Sequence, residues 1–526
     1  GLSQSINLRK EGRDCLLDGK MFEFILSFSP IVVLLINLLL FKMSAPKASA
    51  LAFLVTLLEF VTIFKPGLIG IEITLKKGLA MGFFMGLIAF GAMMLYNLVD
   101  LSGGFAAINK FLLRHIEDRF VLFLMMCWVF SASLQGIAGY GIPAVIVSTV
   151  LIKAGYEPIK SVAAALAGHS WAISFGTMGS SIYAINLVTS SCLGGILHEM
   201  AAYGSLGMLC SGLGVCFIYG GFQFILKGLK YLIPSWIVMI VSLFVMANLE
   251  MVSLIGFVTG LAGTATMVLI YKLSEGNFAE QLDIEEKRKL INGILPYVSV
   301  ITISIILAVL DPKIKLTLSF PSYETIQGVI VAEQEDYVVF NIFKYPFVII
   351  FIATLLCVVY YRKINFLKKG CLNTVIKNTG KKIYATEIVL FLLLMTAQMM
   401  MDSGMIKTFS EALASFAGGH YPLIATMVGA IGTFVTGSNT NSNVLFGALQ
   451  ENIAMSLGLV PTFMCAAQSI SASVAGAISP TTTALTIAAA GDGIKENEVY
   501  RYTIIFTFFS VLLLGVMNLF VNIILS

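Results

Sequence analysis

The sequence is poor in charge and in proline. Only 12% of its 526 residues are charged and 13 are prolines, whereas 58% are apolar and the mean hydropathy is +0.92. Soluble domains carry about 25% charged residues, so a soluble enzyme, a secreted disulfide scaffold and a nucleic-acid-binding protein are excluded. A span needs about 20 apolar residues, so the chain has room for more than ten. The composition therefore predicts an integral membrane protein, with the lipid bilayer as its partner.

The sequence also lacks metal and redox motifs. Its eight cysteines form no C-x-x-C pair, so they are interpreted as reduced packing residues. Its 33 basic and 29 acidic residues are too evenly balanced to indicate an anionic polymer, and no nucleic acid is expected as a partner. We expect no metal site and no cofactor, because the four histidines share no helix face at ligand spacing. These are His115, His169, His198 and His420.

Long apolar segments predict an all-α fold, a polytopic bundle of transmembrane helices. Residues 1–20 are rich in charge and form an N-terminal extension that we exclude from the fold. The rest divides into a first half, 21–273, and a second half, 291–526. The predicted spans are 22–41, 46–64, 78–99, 161–187, 200–226, 233–250, 252–273, 293–310, 345–361, 385–402 and 502–525.

The distribution of charge between the spans predicts their orientation. Residues 362–382 contain seven basic residues and no acidic one, which places this loop in the cytoplasm by the positive-inside rule. One span before this cytoplasmic loop, residues 311–344 are expected to form an extracellular loop, in which acidic residues outnumber basic ones. Residues 274–290 return to the cytoplasm as a second solvated loop.

Two regions interrupt the pattern of spans. The apolar runs 119–134 and 142–155 are too short to cross a bilayer unaided, and a Gly-rich stretch separates them. The runs 422–436 and 444–458 repeat the arrangement around a polar stretch. Backbone that leaves the helix inside a membrane must find partners in protein or in a water-filled cavity. Each break is therefore a candidate binding site, within broken-helix modules that cover 119–187 and 422–490.

The two modules are similar to each other. An offset of 303 superposes Gly155 and Pro158 on Gly458 and Pro461, and an offset of 301 places Gly136 on Gly437. Basic residues flank the first module, whereas residues 452–491 carry no charge. If basic flanks face the cytoplasm, the modules are two inverted repeats that contain broken or re-entrant helices, as in secondary transporters.

The chemistry of the breaks favours a small anion. A helix that begins inside the membrane presents unpaired N–H groups and about half a positive charge, which suits a carboxylate. The alternative is that the breaks are loops packed between helices without a ligand. The predicted substrate-binding residues are Gln135, Gly136, Gly139, Tyr140, Gly141, Gly437, Ser438, Asn439, Thr440, Asn441, Ser442 and Asn443.

A second polar cluster follows each break, and Pro480 predicts a further interruption of the helix. Such small residues also allow helices to pack closely, so a purely structural role remains the alternative. The candidates for secondary substrate contacts or coupling are His169, Ser170, Thr177, Ser479 and Thr481. The candidates for proton coupling are His169, Asp402 and Glu59, of which the histidine ranks first because it titrates near neutral pH. A packing role is its alternative.

Several of these motifs together resemble the lactate permease family. They are the stretch 134–143, Gly168-His169-Ser170, 175–179, 432–443 and Ile478-Ser479-Pro480, and the similarity runs from about Met21 to the C-terminus. The resemblance implies a bacterial inner-membrane carrier that imports lactate, often with glycolate, in symport with protons. It also implies a relation to the wider ion-transporter group, whose Ser-Asn-Thr element matches Ser438-Asn439-Thr440. The first module has Ile137-Ala138-Gly139 instead.

We therefore expect a multi-pass secondary transporter that imports lactate and similar 2-hydroxy monocarboxylates, coupled to protons, with sodium as the alternative ion. A dicarboxylate or inorganic-anion carrier is the nearest alternative, and an anion channel is the next. An enzyme is not expected, because the spans contain no nucleophile–base pair. The sequence leaves a homodimer open.

Overall fold

The computed structural model describes residues 25–191, 193–275, 283–310, 312–326, 328–491 and 493–525. The predicted N-terminal extension, 1–20, lies outside these residues, as do seven residues of the predicted loop 274–290. All six cysteines in the described part of the chain are free thiols.

The first half of the chain is helical. Its helices, in chain order, are α1 (Ile25–Leu39), α2 (Ala45–Phe64), α3 (Gly67–Leu101), α4 (Gly104–His115), α5 (Arg119–Ile137), α6 (Ile142–Lys153), α7 (Pro158–His169), α8 (Ser180–Val188), α9 (Leu193–Gly220), α10 (Phe222–Asn248) and α11 (Ile255–Glu275).

The second half adds further helices and four short strands. They are α12 (Ile284–Leu310), β1 (Lys315–Phe320), β2 (Tyr323–Glu324), β3 (Ile330–Val331), β4 (Gln334–Asn341), α13 (Pro346–Lys363), α14 (Cys371–Asp402), α15 (Met405–Ala417), α16 (Tyr421–Thr436), α17 (Asn439–Ser456), α18 (Pro461–Val474), α19 (Pro480–Ala490) and α20 (Glu496–Leu525).

The helical content confirms the predicted polytopic bundle. Eleven helical segments among the described residues are long and apolar enough to cross a membrane. Many of their large apolar side chains face outward, among them Leu226 on α10 and Ile524 on α20, which are 72% and 78% exposed. In water such a surface would be unfavourable, whereas lipid accepts it.

Several predicted boundaries are wrong. The expected span 161–187 is broken, because Thr177, Met178 and Gly179 adopt positive φ angles between α7 and α8. Residues 371–382, expected in a loop, form the first turns of α14. Most of these residues are polar, but every fourth one is buried, which is the spacing of one face of a helix. The buried residues are Cys371, Val375, Thr379 and Ile383.

The predicted loop 274–290 is also shorter than expected, since α12 begins at Ile284. Asp283 and Glu286 form a capping box: the Asp283 carboxylate accepts a hydrogen bond from the Glu286 backbone N–H at 2.7 Å, and Glu286 accepts one from the Asp283 N–H at 3.3 Å. The charged residues that indicated a loop therefore start a helix.

The predicted extracellular loop 311–344 contains a small β-element. Strands β1 and β4 pair antiparallel, with Lys315 opposite Asn341, and β2 pairs with β3. Lys315 and Asp336 form an exposed ion pair at 3.1 Å, and the lysine lowers the pKa of the Asp336 carboxyl. The Tyr323 hydroxyl reaches from this element onto α3 and α14.

Helices α3 and α14 form the most extensive helix pair, and small residues bring them together. A Cβ at Gly78 would lie 2.8 Å from the Met395 Cα, and one at Gly82 would overlap the ring of Phe391. Glycines at these positions therefore set the short distance between the two helices. Helices α2 and α13 pack on the same pair.

The two broken-helix modules have the same order of elements. Each module contains, in chain order, a helix, a break, a second helix, a third helix, a further break, a short helix and a long helix. The modules interlock: α6 packs on α19, α8 on α17, and α9 on α18. This recurrence supports the proposed repeat, and the inverted relation of the two copies stays a prediction.

A buried ion pair ties α3 to α14. Lys77 Nζ lies 3.5 Å from an Asp402 carboxylate oxygen, and the lysine side chain is fully buried. Thr74 and Tyr323 also donate to that oxygen, at 2.7 and 3.2 Å, and Gln398 donates to the other at 2.8 Å. The carboxylate is thus compensated by charge and by hydrogen bonds, as a buried charge requires.

Replacing Lys77 by methionine is expected to destabilise the protein by about 3–5 kcal/mol, because it leaves the buried Asp402 carboxylate without its cation. Lys76→Met is the matched control, since its ion pair with Glu72 is more than 60% exposed, and exposed pairs contribute little to stability. Thermal unfolding of the purified variants in detergent measures the difference. Equal melting temperatures for the two variants would contradict the assigned role of the Lys77 pair.

Candidate functional site

The first break is shorter than predicted. Helix α5 continues through Gln135 and Gly136 to Ile137, so these two residues form its last turn. At 19 residues α5 is long enough to cross a membrane, and the expectation that it is too short is wrong. The chain then turns through Tyr140 and Gly141, with φ angles of 59° and 76°, before α6 begins.

The second break is shorter still. Helix α16 ends at Thr436, Gly437 adopts a φ of 74°, and Ser438 is extended. The Ser438 hydroxyl then accepts a hydrogen bond from the Asn441 backbone N–H at 3.3 Å and caps α17. Residues 439–443, expected within the break, are therefore helical, because the serine starts the helix in front of them.

Each of the two later polar clusters contains a further interruption. After α7, a 3-10 turn over Ser170–Ala172 and a second over Thr177–Gly179 lead into α8. After α18, a 3-10 turn over Ala475–Ile478 and Ser479 lead into α19, whose first residue is Pro480. The interruption that Pro480 predicts is thus confirmed.

All four interruptions open on one cavity of about 280 Å³, close to the lower limit of about 300 Å³ for small-molecule pockets. Helices α2, α3 and α14 complete its wall. The predicted residues that line the cavity are Gln135, Tyr140, Gly141, His169, Thr177, Gly437, Ser438, Asn439, Thr440, Asn441 and Thr481.

The other predicted residues lie behind this wall. Gly136 packs on the backbone of Phe257, and Gly139 packs on the Thr177 side chain, each where a Cβ would not fit. The remaining ones are Ser170, Ser442, Asn443 and Ser479, which are buried and engaged in hydrogen bonds within the protein.

Polar side chains of the second break bind the first module. Asn439 donates to the Ser174 hydroxyl at 2.8 Å, and Thr440 and Ser181 share a hydrogen bond of 2.9 Å. Asn443 donates to the Ser181 carbonyl at 3.0 Å. These contacts join the two modules, so part of the polar sequence 438–443 serves to hold the cavity together.

No lysine or arginine is present among the described residues that line the cavity. Helices α6, α8, α17 and α19 all begin at this wall, and each brings the positive end of its dipole and N–H groups without intrahelical partners. Positive potential therefore comes from the backbone. Such a site attracts an anion in a low-dielectric interior, where dipoles act more strongly than in water.

Four side-chain atoms in the wall are buried and lack a hydrogen-bond partner among the described residues. They are Gln135 Oε1, Glu387 Oε2, Thr433 Oγ1 and Asn439 Oδ1. Each of these oxygens can accept a hydrogen bond. The wall thus offers backbone donors for a carboxylate and oxygen acceptors for a hydroxyl group.

Of the three predicted proton-coupling candidates, only His169 lines the cavity. Its Nδ1 donates to the Ala165 carbonyl at 2.6 Å, so its other ring nitrogen is left for the cavity. Glu59 accepts a hydrogen bond from Ser29 at 2.6 Å, and Asp402 pairs with Lys77; neither belongs to the wall.

Glu387, the one carboxylate among the described residues of the cavity wall, was not among the predicted site residues. It lies within the predicted span 385–402, five residues after Lys382. Because α14 begins at Cys371, Glu387 lies 16 residues into a helix. An acid inside an apolar run was the available signal.

Comparisons with known proteins identify similar chains. The family model described as L-lactate permease matches residues 23–525. An L-lactate permease of Streptococcus iniae is 27% identical over 467 residues, which cover 85% of this chain and 94% of the relative. An L-lactate permease of Escherichia coli (strain K12) is 24% identical over 467 residues, covering 80% and 82%.

Among solved structures, the YdaH transporter of Alcanivorax borkumensis aligns with a TM-score of 0.45 and 14% sequence identity. The alignment covers 84% of this chain and 86% of that one.

Gly437→Ala is expected to lower the melting temperature more than Gly458→Ala. Both glycines have φ near 70°, so both variants are strained by about 1–2 kcal/mol. At Gly437 the new Cβ also overlaps the Thr481 hydroxyl, which adds about 1–3 kcal/mol, whereas nothing lies within 4 Å at Gly458. Thermal unfolding measures the difference, and adding Thr481→Ala should recover part of it. Identical losses in the two single variants would refute the tight contact.

Proposed function

Because the chain belongs to the L-lactate permease family, we propose that it carries lactate across the membrane in symport with protons, and that it also accepts glycolate. It is a multi-pass protein of the bacterial inner membrane, with transmembrane helices that surround a cavity lined by both broken-helix modules. Its relatives bear the name permease, which is a transport function.

The observation that carries the proposal is the convergence of four helix N-termini on a cavity without a fixed cation. A carboxylate that enters this cavity gives up hydrogen bonds to water. It gains hydrogen bonds from backbone N–H groups and from the amides and hydroxyls of the second break. Lysine or arginine would bind the anion more tightly. A carrier has to release its substrate on the other side, and dipoles without a formal charge favour that release.

The unpartnered acceptors support a 2-hydroxy acid. Gln135 Oε1 and Asn439 Oδ1 lie in the wall with the helix N-termini, so a ligand in the cavity meets acceptors as well as donors. A buried acceptor that gains a hydroxyl partner avoids a cost of about 1–3 kcal/mol. Lactate and glycolate both supply that hydroxyl next to their carboxylate.

The absence of a cation from the cavity wall supports proton coupling. Lactate enters with a negative charge on its carboxylate. A proton is the smallest cation that can accompany this charge, and it can do so by neutralising an ionisable side chain in the wall. The wall residues that can exchange such a proton are the His169 imidazole and the Glu387 carboxylate.

Proteoliposomes that contain the purified protein are expected to accumulate radiolabelled lactate when the outside is acidic. A protonophore should abolish the accumulation, a sodium gradient alone should not drive it, and glycolate should compete. Competition by succinate or arsenite instead would favour a dicarboxylate or inorganic-anion carrier. Flux that never exceeds equilibration under a pH gradient would indicate a channel and contradict the proposal.

Asn439→Ala and Asn441→Ala are expected to raise the apparent uptake constant for lactate about tenfold or more. A hydrogen bond from the Asn441 amide to a carboxylate contributes about 1.5–3 kcal/mol, and the Asn439 Oδ1 acceptor for the lactate hydroxyl contributes about 0.5–1.5 kcal/mol, so the tenfold change is expected above all for Asn441→Ala. Asn452→Ala is the control on the same helix, since Asn452 donates to the Ala448 carbonyl and does not line the cavity. Unchanged uptake constants in both test variants would remove α17 from the substrate site.

A further inference from the structure

Glu387 stands at the boundary between the cavity and the α3–α14 pair. One of its carboxylate oxygens lies 3.5 Å from the Tyr140 hydroxyl, which comes from the first break. The other oxygen is buried and has no partner in the described part of the chain. On α3, a Cβ at Gly86 would lie 2.7 Å from that oxygen, so a glycine leaves the space that the carboxylate occupies.

Among the described residues, the wall around Glu387 contains no lysine or arginine that would hold it ionised. Helices α2 and α3 contribute only Ala45, Pro46, Met85 and Ala89 to the wall, and α17 contributes only amides and hydroxyls. The titratable groups that share the wall with Glu387 are Tyr140 and His169. Lys77, on α3, is paired with Asp402, about 22 Å further along α14.

An ionised Glu387 and a bound carboxylate would repel each other inside the cavity. Two like charges about 7 Å apart, at an effective dielectric constant of about 20, weaken binding by roughly 50-fold. A protonated Glu387 removes this repulsion, and its O–H becomes a donor. The anion therefore binds well only when this side chain carries a proton.

We propose that Glu387 is the residue that binds the transported proton. This inference deepens the proposed function and depends on it. A proton from the outer solution binds a Glu387 carboxylate oxygen, lactate then enters, and both leave when the cavity opens inward. No covalent bond forms or breaks apart from this O–H bond, so one proton moves with each lactate and the charges balance.

Tyr140 is the positioning residue of this pair. Its φ of 59° is unusual for a residue with a large side chain, and it places the hydroxyl next to Glu387. Because Tyr140 belongs to the break that opens on the cavity, movement of the first module changes the environment of the carboxylate. This contact links proton release to the movement of substrate.

The test compares Glu387→Gln with the wild type in proteoliposomes. Glutamine has the shape of the protonated acid and cannot release a proton. The variant is expected to lose accumulation of lactate under a pH gradient. Its lactate exchange should become independent of pH, whereas wild-type exchange should fall as the pH rises. Glu387→Asp should retain the pH-driven accumulation, and Glu411→Gln, an exposed acid on α15, should behave as the wild type.

Wild-type accumulation by Glu387→Gln would overturn the inference, and so would loss of coupling in His169→Gln with coupling retained in Glu387→Gln. If Glu387→Gln is not recovered folded, Tyr140→Phe decides the matter: the pH of half-maximal exchange should shift, and an unshifted value would overturn the inference. A wild type that accumulates lactate only under a sodium gradient contradicts the proposed function itself, which separates the two failures.

Discussion

The structure depends on the need of every buried backbone group for a partner. In a membrane protein, a helix that stops inside the bundle exposes N–H and C=O groups that lipid cannot solvate. Here four helices begin in the interior, at Ile142, Ser180, Asn439 and Pro480, around one cavity. The first turns of these helices lie at the cavity, and this same feature makes the cavity suitable for an anion.

The surrounding bundle supports this arrangement in two ways. The modules interlock through polar side chains, so that Asn439 and Asn443 of one module bond to Ser174 and Ser181 of the other. Helices α3 and α14 close the remaining side of the cavity, held together by close glycine contacts and by the Lys77–Asp402 pair. The Lys77–Asp402 ion pair thus stabilises helix packing away from the cavity, whereas helix dipoles supply the positive potential at the cavity.

Sequence reasoning identified the helices and the location of the breaks, because apolar runs and polar interruptions are local patterns. It missed features that depend on helix phase or on tertiary contact. The start of α17 depends on one cap at Ser438, so the polar run divides into cavity-facing Asn441 and buried Ser442. Lys77 and Asp402 are 325 residues apart in sequence, and no local pattern pairs them. Glu387 lies inside a predicted span, and only the fold shows that it reaches the cavity and the Tyr140 hydroxyl.

A cryo-EM map of the protein in lipid nanodiscs with bound lactate is the most direct measurement of the central claim, that backbone dipoles bind the anion. We expect the carboxylate density within hydrogen-bond distance of N–H groups in the first turn of α17 or of another helix that begins at the cavity, with the lactate hydroxyl towards Gln135 or Asn439. A carboxylate seated on a lysine or arginine side chain, or outside this cavity, would contradict it.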